Sequence, residues 1–96
     1  MLRSVAVAIP CWNGRRWLDG CLASIGAQSR AAEELIVVDN GSTDGSVARV
    51  RELRPDAHVI ELGRNTGFAY AANTALRQAR GDAVALVNQD VRLEPD

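Results

Sequence analysis

The segment Asn88-Gln89-Asp90 carries the side chains best suited to a metal ion. The carboxylate of Asp90 comes two residues after the amide of Asn88, at the end of an apolar run. Oxygen ligands of this kind suit a hard cation such as Mg²⁺ or Mn²⁺ together with a diphosphate. A cation there would neutralise the charge that builds up on a leaving group. An aspartate that only closes a turn after a strand gives the same pattern.

Trp12 and Asp39 also follow apolar runs, and each has two interpretations. The indole of Trp12 can stack on a nucleotide base, or it can pack beneath the first helix beside Trp17. The carboxylate of Asp39 can accept a hydrogen bond from an N–H group on a base edge. It can equally accept hydrogen bonds from its own loop, in an Asx turn over Asp39-Asn40-Gly41-Ser42.

Asn65 and Gly67 belong to a turn whose backbone N–H groups can approach a phosphate or a sugar. The segment Ser42-Thr43-Asp44 is explained by capping of the second helix. The N-terminus of that helix would also favour an anion.

Four apolar runs rich in β-branched residues must position these side chains. They are Val5–Ile9, Leu35–Val38, His58–Leu62 and Ala83–Val87. A helix-like stretch follows each of the first three runs. This alternation predicts an α/β fold, a Rossmann-like parallel sheet in the order βαβαβαβ with helices on both faces. Ligands of such sheets bind at the carboxyl ends of the strands, where the polar residues above are placed.

The helices have predicted boundaries and predicted buried faces. We expect Asn13 to cap the first helix, the second to start near Ser42-Thr43-Asp44 and end before Pro55, and the third to run from Thr66 to Gly81. The buried faces are predicted to be Leu18, Cys21, Leu22 and Ile25 in the first helix, Val47 and Val50 in the second, and Phe68, Ala71, Ala72, Ala75, Leu76 and Ala79 in the third.

The composition excludes several classes of protein. The 96 residues carry a net charge of -1 and are 47% hydrophobic, which excludes disorder and does not suggest nucleic acid as a partner. The longest apolar run is shorter than a bilayer requires. All basic residues are Arg, so a P-loop is excluded, and no G-x-G-x-x-G follows the first strand. Cys11 and Cys21 lack metal-ligand spacing, which indicates a reduced, cytosolic setting.

Four segments together resemble the amino-terminal half of a family 2 glycosyltransferase of the GT-A fold. They are VAVAIPCWNGRRWLDGCLASI, ELIVVDNGSTDGS, GRNTGFAYAANTALRQARGD and ALVNQDVRLEPD. The N-x-D form of the last segment is similar to the rhamnosyltransferase-like branch. The resemblance implies that residues 1–96 form the donor part of a GT-A domain, and that the acceptor site and catalytic base lie downstream.

The resemblance also implies a role for particular residues. It places Trp12 against the base and lets Asp39 accept from the N3–H of uracil or thymine. It makes Asp90 the ligand of Mg²⁺ or Mn²⁺, with Asn88 departing from the first acidic position of the D-x-D-type motif. The residues that it assigns to the nucleotide sugar are Pro10, Cys11, Trp12, Asn13, Asp39, Asn40, Ser42, Asn65, Gly67 and Asn88.

The implied activity is metal-assisted, inverting glycosyl transfer in the complete enzyme. The donor would be a UDP- or dTDP-sugar, and the acceptor a glycan or a lipid-linked group. We expect a cytoplasmic location, extending to the inner face of the membrane if the acceptor is held there. None of the 96 residues is assigned as the catalytic base.

Two alternatives come from other classes of protein. One is a non-catalytic nucleotide-binding or self-associating fragment, which would form a homodimer through an exposed sheet edge. The other is a receiver-type signalling domain, which requires a lysine that this sequence lacks.

Overall fold

The computed structural model describes residues 5–27, 34–80 and 83–90. Strands and helices alternate along these residues, as the sequence predicts. The elements are β1 (Val5–Cys11), α1 (Arg15–Gly26), β2 (Glu34–Asp39), α2 (Ser46–Leu53), β3 (His58–Glu61), α3 (Phe68–Gln78) and β4 (Ala83–Leu86).

The strands form one parallel sheet in the order β3-β2-β1-β4. β1 and β2 are central and almost wholly buried, while every described residue of β4 is exposed. β1 pairs with β2 over six positions and with β4 over only four, so its carboxyl end extends beyond β4. The predicted Rossmann-like α/β sheet is thereby confirmed.

Helices cover both faces of the sheet, because alternate strand residues point to opposite sides and the central strands are apolar on both. On one face α1 and α2 pack against residues such as Val7, Ile9 and Val37. On the other face α3 packs against Ala8, Ile36 and Val38. Within the described residues no helix is long and apolar enough to cross a membrane.

The buried face of α1 is the predicted one. α2 ends before Pro55 as expected and buries Val50, but Val47 is only partly buried. The face of α3 is narrower than predicted. Ala71, Ala72 and Ala75 are buried, but Phe68 is 57% and Leu76 43% exposed. Small alanines let the helix lie close to the sheet, and this close contact leaves Leu76 at its rim. Phe68, at the first residue of α3, lies beyond the sheet beside a cavity.

The predicted helix starts are wrong by one to four residues. The N-cap positions are Gly14, Gly45 and Gly67, and none of them caps its helix through a side chain. The described part of α3 ends at Gln78, with Ala79 in an extended conformation, and Gly81 lies outside the described residues.

Candidate donor-binding site

A cavity of about 550 Å³ opens at the carboxyl end of the sheet, beside the first residues of α1 and α3. Its size lies within the range of small-molecule sites. The residues that line it are Pro10, Cys11, Trp12, Trp17, Asn40, Asn65, Phe68, Asn88, Gln89 and Asp90.

Most of the residues assigned from the sequence meet at this cavity. Four of them do not line it: Asn13, Asp39, Ser42 and Gly67. Conversely, three residues that line the cavity were not predicted from the sequence: Trp17, Phe68 and Gln89. Trp17 and Phe68 were assigned to helix packing, and Gln89 was overlooked as the middle residue of the N-x-D pattern. Both aromatic residues lie in the first turn of a helix that follows a strand end, and this position could have indicated that they line the site.

Asn13 joins two loops and does not cap α1. Its backbone has a positive φ of 45°. Its N–H donates to Ser42 Oγ at 2.9 Å, and its Oδ1 accepts from the N–H of Thr43 at 2.8 Å. The side chain is therefore committed to the loop between β2 and α2.

The N-terminus of α1 is capped by that same loop. The N–H of Gly14 donates to Ser46 Oγ at 3.1 Å, and the N–H of Arg15 donates to Asp44 Oδ2 at 3.1 Å. Asp44 Oδ1 also accepts from the N–H and the hydroxyl of Ser46, at the beginning of α2. Because these donors already have acceptors, a phosphate at the N-terminus of α1 would have to displace a carboxylate.

Asp39 forms the Asx turn that was one of its two interpretations. It is buried, and its Oδ2 accepts from the N–H groups of Gly41 and Ser42 at 3.2 and 2.9 Å. Its Oδ1 accepts from the hydroxyl of Ser42 at 2.5 Å. Both oxygens therefore stabilise the loop.

Asn40, the next residue, connects three loops at the wall of the cavity. Its N–H donates to the carbonyl of Cys11 at 2.8 Å. Its Oδ1 accepts from the N–H and hydroxyl of Thr66, and its Nδ2 donates to the carbonyl of Gly67 at 3.1 Å. These bonds explain why Thr66 does not cap α3. Asn65 Oδ1 accepts from the N–H of Gly67 within the same turn.

Trp12 is 47% exposed and lines the cavity, so it does not pack beneath α1. Its backbone is held by Gln89, whose Oε1 accepts from the N–H of Trp12 at 2.8 Å. The Nε2 of Gln89 donates to the carbonyl of Trp12 at 2.9 Å. Trp17 lines the cavity as well, and the guanidinium of Arg16 lies 4.2 Å from the centre of its ring.

Asp90 supplies the one carboxylate among the described residues that line the cavity. The thiol of Cys11 is not a metal ligand of comparable quality, because burial and the charge of Asp39 raise its pKa to about 11. No group of three or more His, Cys, Asp and Glu side chains that could hold a metal occurs in the described ranges. One carboxylate at this cavity fits Mg²⁺ or Mn²⁺ when the remaining ligands are phosphate oxygens of a bound diphosphate and water.

Comparison with known proteins identifies the family. The family described as "Glycosyl transferase family 2" matches residues 6–96. The chain belongs to this glycosyltransferase family. An uncharacterized glycosyltransferase of Bacillus subtilis, YfnE, is 36% identical over 94 residues, which are 95% of this chain and 24% of YfnE. An N-acetylglucosaminyltransferase of Bradyrhizobium elkanii is 36% identical over 102 residues, covering all of this chain and 56% of that protein.

Solved structures of glycosyltransferases share the fold. The mannosyltransferase PcManGT of Pyrobaculum calidifontis, in complex with GDP-Man and Mn²⁺, has a TM-score of 0.84 and 33% identity, over 94% of this chain and 28% of that one. TarS 1-349 of S. aureus, in complex with UDP-GlcNAc, has a TM-score of 0.82 and 30% identity, over 91% and 26%. The present chain thus spans a quarter to about half of these proteins.

Proposed function

We propose that this chain binds the nucleotide-diphospho-sugar donor of a family 2 glycosyltransferase. The observation that carries the proposal is the meeting of Trp12 and Asp90 at one cavity. An aromatic face suits a base, and a carboxylate suits the cation that a diphosphate binds. Two similar glycosyltransferases have been solved with UDP-GlcNAc and with GDP-Man and Mn²⁺, which supports this class of donor.

For the donor itself we propose UDP or dTDP linked to a sugar, stacked at Trp12. Asp39 remains our candidate for the N3–H of the base only if its loop rearranges, because its oxygens already have donors. Asn40, the next residue after β2, lines the cavity where Asp39 does not. A rhamnosyl donor is the finer proposal, and it rests on Asn88 in the N-x-D pattern.

Mg²⁺ or Mn²⁺ would be held by Asp90 and the donor's diphosphate. When bound, the cation would stabilise the negative charge of the departing nucleoside diphosphate. The amide of Asn88 beside it adds no charge, so the protein contributes one negative charge from this segment. The described lining residues of the cavity otherwise bind and orient the donor, with three aromatic side chains among them.

Transfer with inversion also requires a base that removes the proton of the acceptor hydroxyl. Asp90 is committed to the cation, and the described cavity lining offers no second carboxylate. We therefore propose that the base and the site for a glycan or lipid-linked acceptor come from a further part of the enzyme. We also propose a cytoplasmic enzyme that works at the inner face of the membrane when its acceptor is membrane-bound.

A thermal-shift experiment tests donor binding directly. The melting temperature is measured with UDP, dTDP, GDP and ADP, each with and without Mn²⁺. A ligand at about a hundred times its dissociation constant adds roughly 2.7 kcal/mol, which raises the melting temperature of a small domain by several degrees. The proposal expects a shift with UDP or dTDP that grows with Mn²⁺ and shrinks in Asp90→Ala. A folded wild-type chain that shifts with none of the four nucleotides would refute it.

Self-association is a second proposal, favoured by the exposed edge strand. Every described residue of β4 is exposed, including Val84 and Leu86 at 37% and 41%. Such an edge can pair with another strand, so we propose that isolated chains form a homodimer there. Light scattering should then give twice the monomer mass, and Val84→Lys should restore the monomer. A wild-type monomer at high concentration would contradict the dimer.

A further inference from the structure

The side chain of Gln89 extends the sheet where the backbone of β4 stops. The last β1–β4 bond runs from the N–H of Val87 to the carbonyl of Ala8 at 2.9 Å. Residues two apart in a strand direct their backbone groups to the same neighbour. After Ala8, the next residue of β1 whose backbone groups face β4 is therefore Pro10. A proline has no N–H to donate, so it cannot continue the hydrogen bonding.

Trp12 is the following position on the β4 side, and both of its backbone polar groups bond to Gln89. Its N–H lies 2.8 Å from Gln89 Oε1 and its carbonyl 2.9 Å from Gln89 Nε2. A primary amide presents the same donor and acceptor as a peptide group. The Gln89 amide thus bonds to Trp12 as a neighbouring strand would, between residues 77 positions apart.

Gly14 leaves the space that this amide occupies. A Cβ atom at Gly14 would lie 2.2 Å from Gln89 Oε1 and 2.6 Å from Gln89 Cδ. The φ of Gly14 is -101°, a conformation open to alanine, so an alanine here would conflict only with the side chain of Gln89 and would displace its amide.

We propose that Gln89 is a positioning residue that fixes Trp12 at the cavity and ties it to Asp90, its chain neighbour. The proposal rests on the donor-binding function above. Trp12 would contact the base and Asp90 the cation, so the Gln89 amide sets the distance between the two ends of the bound nucleoside diphosphate. Because these hydrogen bonds hold the backbone of Trp12, their loss would let the loop that carries the indole move and would weaken its stacking on the base.

The first test measures the mobility of Trp12 without any ligand. Trp17→Phe leaves Trp12 as the one tryptophan of the sequence. In this background, Gln89→Ala is compared with Gln78→Ala, the same change at an exposed glutamine at the end of α3. Trp12 is 47% exposed, so its release would raise its accessibility to acrylamide about twofold in Gln89→Ala and leave it unchanged in Gln78→Ala.

The second test measures UDP affinity by titration calorimetry in chains that retain Trp17. Gln89→Ala should weaken UDP binding about tenfold even without Mn²⁺, as expected for a lost base contact, whereas Gln78→Ala should not. Gly14→Ala should have the same effect, because it displaces the amide. The double variant Gly14→Ala/Gln89→Ala should bind no more weakly than Gln89→Ala alone, because both changes remove one interaction.

Circular dichroism establishes that each variant is folded. If Gln89→Ala does not fold, Gly14→Ala takes its place in both tests. Quenching and UDP affinity in Gln89→Ala equal to those of Gln78→Ala would overturn the positioning role. If Gln89→Ala changes the quenching of Trp12 but leaves UDP affinity unchanged, the claim that Gln89 supports donor binding would be overturned. If the wild-type chain binds no UDP, the donor function fails, and the quenching comparison alone decides whether Gln89 holds Trp12.

Discussion

At the scale of single residues, the polar side chains at the strand ends divide into two groups. Asp39 and Asn13 make hydrogen bonds within and between loops, while Trp12 and Asp90 line the cavity. The sequence could place all of them at one edge of the sheet, since parallel strands end there together. It could not separate the two groups, because an Asx turn and a base contact require the same carboxylate at Asp39.

Removal of the Trp12 ring should weaken donor binding without unfolding the chain. The side chain is half-exposed at the cavity and lies outside the buried core, so Trp12→Ala should leave the fold intact but remove the contact with the base. We expect a loss of about 1–3 kcal/mol in UDP binding, measured by titration calorimetry. Tyr70→Ala is the matched control, because Tyr70 is 53% exposed and does not line the cavity. Equal UDP affinities in the two variants would count against a base contact at Trp12.

The two buried cysteines predict a loss of stability at alkaline pH. Burial raises the pKa of Cys11 and of Cys21 from 9.0 to about 11, with Asp39 and Asp90 adding smaller contributions. Between pH 9 and 11 each thiol stays protonated in the folded chain but ionises in the unfolded chain. The free energy of unfolding is therefore at its full value below pH 9 and falls as the pH rises towards 11. The slope is about 1.4 kcal/mol per pH unit for each thiol.

Urea unfolding at pH 8 and pH 10 under reducing conditions measures this loss. Cys21→Ala should lower the stability at pH 8 through its cavity but should lose less between the two pH values than the wild type. An equal pH-dependent loss in both proteins would show that Cys21 is not the titrating group.

At the scale of elements, the strands and buried helix faces follow from hydrophobic pattern. The α1 face of Leu18, Cys21, Leu22 and Ile25 is the predicted one, because a helix turning against a sheet buries one stripe. The helix starts could not be predicted in the same way. The acceptors for α1 come from Asp44 and Ser46, some 30 residues away, and a local capping rule does not include them.

Asp44 should therefore stabilise two helices at once. Asp44→Ala removes the acceptor of Arg15 at α1 and of Ser46 at α2, and we expect a cost of about 1–2 kcal/mol in urea unfolding. Glu52→Ala, an exposed acid paired with Arg49 at 3.8 Å, should cost much less. Equal costs would contradict the capping role.

The difference in stability between the wild type and Asp44→Ala should depend on pH. Although desolvation opposes it, hydrogen bonds from Ser46 and Arg15 lower the pKa of Asp44. The stabilisation by Asp44 is thus present above the ordinary pKa of an aspartate. It should be lost as the pH falls through the lowered value, so wild type and Asp44→Ala should converge in strong acid.

The close contact of α3 with the sheet depends on alanine. Ala75 is fully buried against β1 and β2 residues, so Ala75→Leu should overpack this layer and destabilise the chain by about 1–3 kcal/mol. Ala69→Leu adds the same atoms on the exposed side of α3 and should be nearly neutral. Thermal unfolding compares the two, and equal melting temperatures would contradict the close contact.

At the scale of the whole molecule, the order β3-β2-β1-β4 brings residues from both ends of the chain to one cavity. The N-terminal strand lies between β2 and β4, so Trp12 meets Asp90 although 78 positions separate them. The parallel α/β fold could be predicted from the strand–helix alternation. The role of Gln89 could not, because it depends on where β4 stops beside β1, which is a property of the assembled sheet.

We expect one cavity to bind both a nucleoside diphosphate and, through Asp90, its metal ion. Titration calorimetry of UDP with and without Mn²⁺ tests it in the wild type, in Asp90→Asn and in the control Asp56→Asn, an exposed aspartate paired with Arg54. We predict that Mn²⁺ tightens UDP binding about tenfold or more in the wild type and the control, and has no effect in Asp90→Asn. A metal effect that persists in Asp90→Asn, or UDP binding that ignores Mn²⁺ in the wild type, would contradict it.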